Sequence, residues 1–150
     1  MSSFTSSSPT QGPCRVAIVD DHDDVRGAVS SLLRSYGYAA AEFDCAESLL
    51  AAGAQHNSQC IISDLQMPGM SGIELLEHLR RQGCMVPLIV LTAFPEPAVR
   101  QRAQQGGAAA FLSKPFQGDE LMRCVSRACV PGTASADPST PSTPSTSSTD

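Results

Sequence analysis

Tryptophan is absent from the 150 residues, and tyrosine and phenylalanine number only 2 and 5. Any core must therefore be aliphatic. With 41% hydrophobic residues there is enough apolar material for one domain of ordinary size. Positive charge is scarce: 10 basic residues face 15 acidic ones, the net charge is −5, and no basic cluster occurs. Binding a phosphate backbone needs clustered Lys or Arg, so no direct nucleic-acid partner is expected. No C-x-x-C spacing links Cys14, Cys45, Cys60, Cys84, Cys124 and Cys129. That excludes the usual zinc and disulfide frameworks, and free thiols in a reducing cytosol are expected. No apolar run approaches the roughly 18 residues of a membrane helix, so no membrane role is expected. The start, "MSSFTSSSPTQGP", lacks the charged and apolar regions of a signal peptide. Lysine is nearly absent too. Nine of the ten basic residues are arginine, and the one lysine, Lys114, sits in "FLSKPF" (111–116).

Both ends are low in complexity. Residues 1–13 are rich in Ser, Thr and Pro, and residues 131–150, "PGTASADPSTPSTPSTSSTD", contain no large apolar residue. Neither can bury enough surface to offset the entropy of ordering, so a disordered lead and a disordered tail are expected. The folded unit is then residues 14–130. Inside it, short apolar runs alternate with helical patterns. "RVAIV" (15–19), "YAAAEF" (38–43), "CIIS" (60–63), "PLIVLT" (87–92) and "AAFLS" (109–113) read as strands. Val25, Val29, Leu32, Leu33 and Tyr36 follow helical spacing up to Gly37. "DCAESLLAA" opens with Asp44 as expected N-cap and Glu47 three residues on, the pattern of a capping box. Further helices are expected over 72–82, burying Ile73, Leu76 and Leu79, and over 118–129, burying Leu121, Val125 and Cys129. The stretch 96–105 reads as a poor helix, with Gln101 and Gln104 where apolar anchors would be wanted. Five βα units of this kind imply an α/β fold with a parallel sheet covered on both faces. Chemistry in such sheets lies beyond the carboxyl ends of the strands, at the switch in strand order.

Those ends carry a set of polar groups. The first strand delivers Asp20 and Asp21, the third Asp64, the fourth Thr92 and the fifth Lys114. Each alone has an ordinary explanation, such as a helix-start acid, a loop residue or a solvated charge. Four such groups at the same relative place in successive units are harder to explain that way. Three converging carboxylates repel unless a cation neutralises them, and Mg²⁺ suits carboxylates, waters and phosphate oxygens. A carboxylate beside such an ion can attack phosphorus and form an aspartyl phosphate. A Thr hydroxyl and a Lys ammonium would then serve the remaining phosphoryl oxygens.

"VAIVDDHDDVR" (16–26), "IISDLQMPGMSGIELL" (61–76), "PLIVLTAF" (87–94) and "AAAFLSKPF" (108–116) together resemble the receiver domains of two-component response regulators, the CheY-like fold. "SDLQMPGMSG" with "LSKPF" is most similar to receivers of the FixJ type. The resemblance implies a doubly wound (βα)5 flavodoxin-like sandwich, its five-stranded parallel sheet ordered 2-1-3-4-5. It implies Asp64 as phospho-acceptor. Asp20, Asp21, Asp64 and the backbone carbonyl of Gln66 would hold Mg²⁺. Thr92 and Lys114 would bind the phosphoryl group, Phe111 would rotate inward as Thr92 moves, and a cis bond would precede Pro115. The implied partners are a histidine kinase or phosphotransfer protein and a downstream protein target. The fourth helix, fifth strand and fifth helix of the family pattern form the docking face, and homodimerisation through it is one of the implied outcomes.

No helix-turn-helix pattern follows residue 130, so the expectation is a stand-alone cytoplasmic receiver that catalyses only its own phosphorylation and dephosphorylation. Two other readings stay open: a binding module of the same fold that works without phosphorylation, and a Mg²⁺-dependent phosphohydrolase. The second needs a D-x-D motif. Asp21-His22-Asp23 supplies one, but no matching Thr follows it. His22, His56 and His78 are scattered, and no role is assigned to them.

Overall fold

A computed structural model describes residues 14–129. The segments expected to be disordered, 1–13 and 131–150, lie outside the described residues. Five strands form one all-parallel sheet: β1 (Arg15–Val19), β2 (Ala39–Phe43), β3 (Cys60–Asp64), β4 (Leu88–Thr92) and β5 (Ala110–Ser113). Their spatial order is β2-β1-β3-β4-β5. The expected fold and strand order are thus observed.

Strand alternation explains the two cores. In β1, Ala17 and Val19 face one side while Val16 and Ile18 face the other. On the first side pack Ala46 and Leu49 of α2 (Ala46–Ala52), and Ile73, Leu75, Leu76 and Leu79 of α4 (Gly72–Arg81). Ala103 of α5 (Pro97–Gln105) joins them. On the second side pack Val29 and Leu33 of α1 (Asp23–Ser35) with Leu121, Met122 and Val125 of α6 (Gly118–Ala128). Each buried Leu, Ile or Val stabilises by about 1.5–3 kcal/mol. β3 and β4 are buried along their whole length, as central parallel strands must be.

The structure departs from the sequence reading in four local details. A sixth helix, the single turn α3 (Ala54–Asn57), follows α2, because Gly53 takes a left-handed φ of 69° and breaks the helix in two. Asp44 does not cap α2. Cys45 occupies that position with no side-chain cap bond, and Asp44 instead accepts from the Ser48 hydroxyl at 3.3 Å. Glu47 does not complete a capping box, because its carboxylate accepts from the Met70 amide at 3.1 Å, across the molecule. Tyr36 is 56% exposed beyond the end of α1, since the apolar stripe stops at Leu33. A reciprocal capping box does occur, between Ser71 and Glu74 at the start of α4.

α5 is the least anchored of the longer helices: Ala103 is its one buried residue, and Gln101 and Gln104 are exposed. It is held at its far end by Arg80. That guanidinium donates to the carbonyls of Gly106, Gly107, Cys84 and Val86 at 2.9–3.2 Å. One planar fork thus ties α4 to the entrances of both β4 and β5.

Candidate functional site

The strand order reverses between β1 and β3, and the chemically able side chains collect at the carboxyl ends flanking that switch. Asp20 follows β1 directly and is 1% exposed, with its amide bonded to the Phe43 carbonyl at 3.1 Å. Asp64 ends β3 and is 4% exposed. Asp21 is exposed at the rim. Lys114 follows β5, and its amide donates to the Thr92 carbonyl at 2.7 Å, which fixes the loop against β4. The Lys114-Pro115 bond is cis, as expected.

Lys114 Nζ lies 2.9 Å from Asp64 Oδ1 and 3.4 Å from Asp20 Oδ2. The two partners respond unequally. Burial pushes the Asp64 carboxyl above its ordinary value; Lys114 pulls it back, while Asp20 and Asp21 push it further up. Burial would lower Lys114, but its bond to Asp64 and the charge of Asp20 overcome that, and its net shift is upward. The asymmetry is electrostatic. The lysine sees several carboxylates, whereas Asp64 sees one cation and two like charges. Asp20, Asp21, His22 and Asp64 each place a ligand atom within 4.8 Å of the others. Three acids against one lysine leave uncompensated negative charge in a half-buried pocket. Carboxylate oxygens at that spacing fit a hard divalent cation such as Mg²⁺.

Thr92 ends β4 and is fully buried, its hydroxyl oxygen accepting from the Phe94 amide at 3.0 Å. Phe111 stands opposite Val90 in the β4–β5 register and is half-buried against the α4–α5 core. Its ring lies under the Arg100 guanidinium, 5.3 Å from the charge to the ring centroid. Gln66 sits on the loop after β3 with its side chain exposed. That loop is drawn tight by Gly72, whose amide donates to the Leu65 carbonyl at 3.0 Å. A Cβ at Gly72 would stand 2.6 Å from the Asp64 carbonyl oxygen, so only glycine permits this approach. Glu47 holds the outer half of the same loop through Met70.

Two residues without an expected role belong to this neighbourhood. Arg26, on the first turns of α1, donates to the Asp20 carbonyl at 2.6 Å and pairs with Asp23 and Glu42. His22 places Nδ1 at 3.3 Å from Asp20 Oδ1 and 3.2 Å from Asp21 Oδ1. Its position directly after Asp20-Asp21 was the available signal. The other histidines, on α3 and α4, are not part of the cluster.

The fold is shared with known proteins. Transcriptional regulatory protein FixJ of Azorhizobium caulinodans is 37% identical over 110 residues, which cover 73% of this chain and 52% of that protein. The chain spans about half the length of the FixJ relatives it matches. Among solved structures, FixJ-N superposes with a TM-score of 0.71 at 33% identity, covering 77% of this chain and 93% of that one. Chemotaxis protein CheY4 of Vibrio cholerae superposes with a TM-score of 0.71 at 30% identity, covering 77% and 98%. Residues 16–126 match the response regulator receiver domain, and with relatives of this identity and fold the chain belongs to that family of two-component signalling domains.

Proposed function

We propose that this chain accepts a phosphoryl group on Asp64 from a histidine kinase or phosphotransfer protein in the cytosol, and thereby switches a protein-docking surface. The observation that carries the reading is the buried Asp64 carboxylate, bonded to Lys114 at 2.9 Å beside Asp20 and Asp21. Asp20, Asp21, Asp64 and the Gln66 carbonyl would hold Mg²⁺, which when bound supplies countercharge to the acids and to phosphoryl oxygens. The chain's own groups do the rest. Lys114 holds Asp64 in place at rest and offers its ammonium as phosphoryl charge accumulates. Thr92, buried at the end of β4, turns its hydroxyl toward the new oxygens. Phe111 then moves into the space that Thr92 leaves.

The readout lies on α5, β5 and α6. α5 contributes one buried residue to the core, so its position responds to small changes at Thr92 and Phe111. Driving a 1:99 mixture to 99:1 needs roughly 5.5 kcal/mol of differential stabilisation. New bonds from Lys114, Thr92 and the backbone to a phosphoryl group are of that order. This face is also the proposed contact for a downstream protein or a second copy of the chain.

The test is beryllofluoride or acetyl phosphate with Mg²⁺, followed by amide NMR of wild type and Asp64→Asn. Shifts spreading from Asp64 to α5 and β5 in wild type, absent from Asp64→Asn, are expected. A wild type that responds no more than the variant would leave a phosphorylation-independent binding module. Turnover of a phosphate ester would point to a phosphohydrolase.

A further inference from the structure

The two carboxylates that follow β1 share a nitrogen neighbour. His22 is the N-cap residue of α1, in extended conformation, and makes no side-chain cap bond to the helix. Its backbone amide donates to Asp20 Oδ1 at 2.9 Å, which folds the residue back toward the acids. Nδ1 then lies 3.3 Å from Asp20 Oδ1 and 3.2 Å from Asp21 Oδ1, while the rest of the ring stays largely in solvent. Neighbouring donors on a single ion, each bound at about 2.0–2.2 Å, stand about 3.0–3.5 Å apart. The spacings at His22 fall within that interval, and one of its ring nitrogens lies within 4.8 Å of an oxygen of each of Asp20, Asp21 and Asp64.

We propose that His22 is a ligand of the divalent-cation site and shifts its selectivity from Mg²⁺ toward imidazole-accepting metals such as Mn²⁺. The proposal rests on the reading of Asp20, Asp21 and Asp64 as a divalent-cation site. Mg²⁺ prefers oxygen donors and keeps its waters, so it gains little from an imidazole. Transition metals gain more from one. An oxygen-only site would lack this discrimination. The neutral ring, protonated on Nε2, offers the Nδ1 lone pair to the ion. With no ion bound, the same nitrogen can carry the proton and donate it to Asp20 or Asp21.

Mn²⁺ is the probe, because its EPR signal reports binding and its pulsed-EPR modulation reports a directly bound ¹⁴N. The unmodified 150-residue chain should bind one Mn²⁺ and show ¹⁴N modulation. His22→Ala should lose the modulation and bind Mn²⁺ at least about fivefold more weakly, with Mg²⁺ affinity by competition within about twofold. His56→Ala should behave as wild type. Bound Mn²⁺ without ¹⁴N modulation in wild type, modulation that survives His22→Ala, or equal losses for Mn²⁺ and Mg²⁺ would each overturn the ligand role while leaving the cation site standing. Failure of wild type to bind Mn²⁺ or Mg²⁺ at all, or binding that survives Asp20→Asn, would overturn the site itself.

Discussion

Lys114 and Asp64 meet at 2.9 Å across the ends of β5 and β3, with Asp20 at 3.4 Å from the same ammonium. The chain has nine arginines and uses its one lysine here. An ammonium is a compact point charge that can serve two carboxylates and then a phosphoryl oxygen, whereas a guanidinium fork needs room for two parallel bonds. Lys114→Arg keeps the charge and changes the shape. It is expected to leave the protein folded and to abolish the beryllofluoride response of α5, read by amide NMR. A full response in the variant would mean that charge alone suffices.

Gly72 gives a test of the loop that carries Gln66. A Cβ there meets the Asp64 backbone carbonyl at 2.6 Å, and backbone cannot swing aside as a side chain can. Gly72→Ala is expected to cost about 1–3 kcal/mol in urea unfolding, the usual range for overpacking. Gly27→Ala makes the matched control. It lies inside α1 with nothing within 4 Å of the added carbon, and it should stabilise by about 0.5–1 kcal/mol. Equal effects from the two changes would contradict the geometry.

Much of this was legible in the chain. Continuous apolar runs marked β1, β3 and β4 because buried parallel strands need no polar face. Reading the residue just after the first, third and fifth runs delivered Asp20, Asp64 and Lys114, and the last residue of the fourth run was Thr92. What was not legible depends on contacts between distant positions. Glu47 has the spacing of a capping residue, yet its carboxylate is taken by Met70, 23 positions away, and no local pattern encodes that. The split of α2 from α3 turned on the conformation of Gly53. His22 looked like one of three scattered histidines until the strand order brought Asp64 beside Asp20 and Asp21.

The upward shift at Lys114 has a consequence for stability. A group whose native value is raised contributes stability that is fully present below its unfolded value, here the ordinary 10.5, and loses it as pH climbs through the native value. Lys114→Met should therefore be less stable than wild type near pH 7 by about 1.5–3 kcal/mol, the range for a hydrogen bond to a charged group. The gap should narrow above the ordinary lysine value. In an Asp64→Asn background the same change should cost less, since part of the pairing is already gone. Urea midpoints of the four proteins between pH 7 and 11 measure this. A gap that stays constant with pH would show that Lys114 stabilises through packing instead of charge.

In the proposed switch, Arg100 bears on the resting position of Phe111. Its guanidinium lies 5.3 Å from the ring centroid, on an exposed face of α5, and makes no ion pair among the described residues. An exposed cation–π contact of this kind is worth about 0.5–1 kcal/mol, a factor of about 2–5 in an equilibrium. It acts only while the ring points toward α5. Arg100→Gln should then raise the population of the inward ring by that factor, and Arg100→Lys should fall between the variant and wild type. The measurement is ¹⁹F NMR on protein labelled with 4-fluorophenylalanine, the Phe111 signal being identified by its loss in Phe111→Leu. If the inward state is minor at rest, apparent beryllofluoride affinity rises in proportion to its population. A Phe111 signal unmoved by Arg100→Gln, with unchanged beryllofluoride affinity, would show that the contact is incidental to the switch.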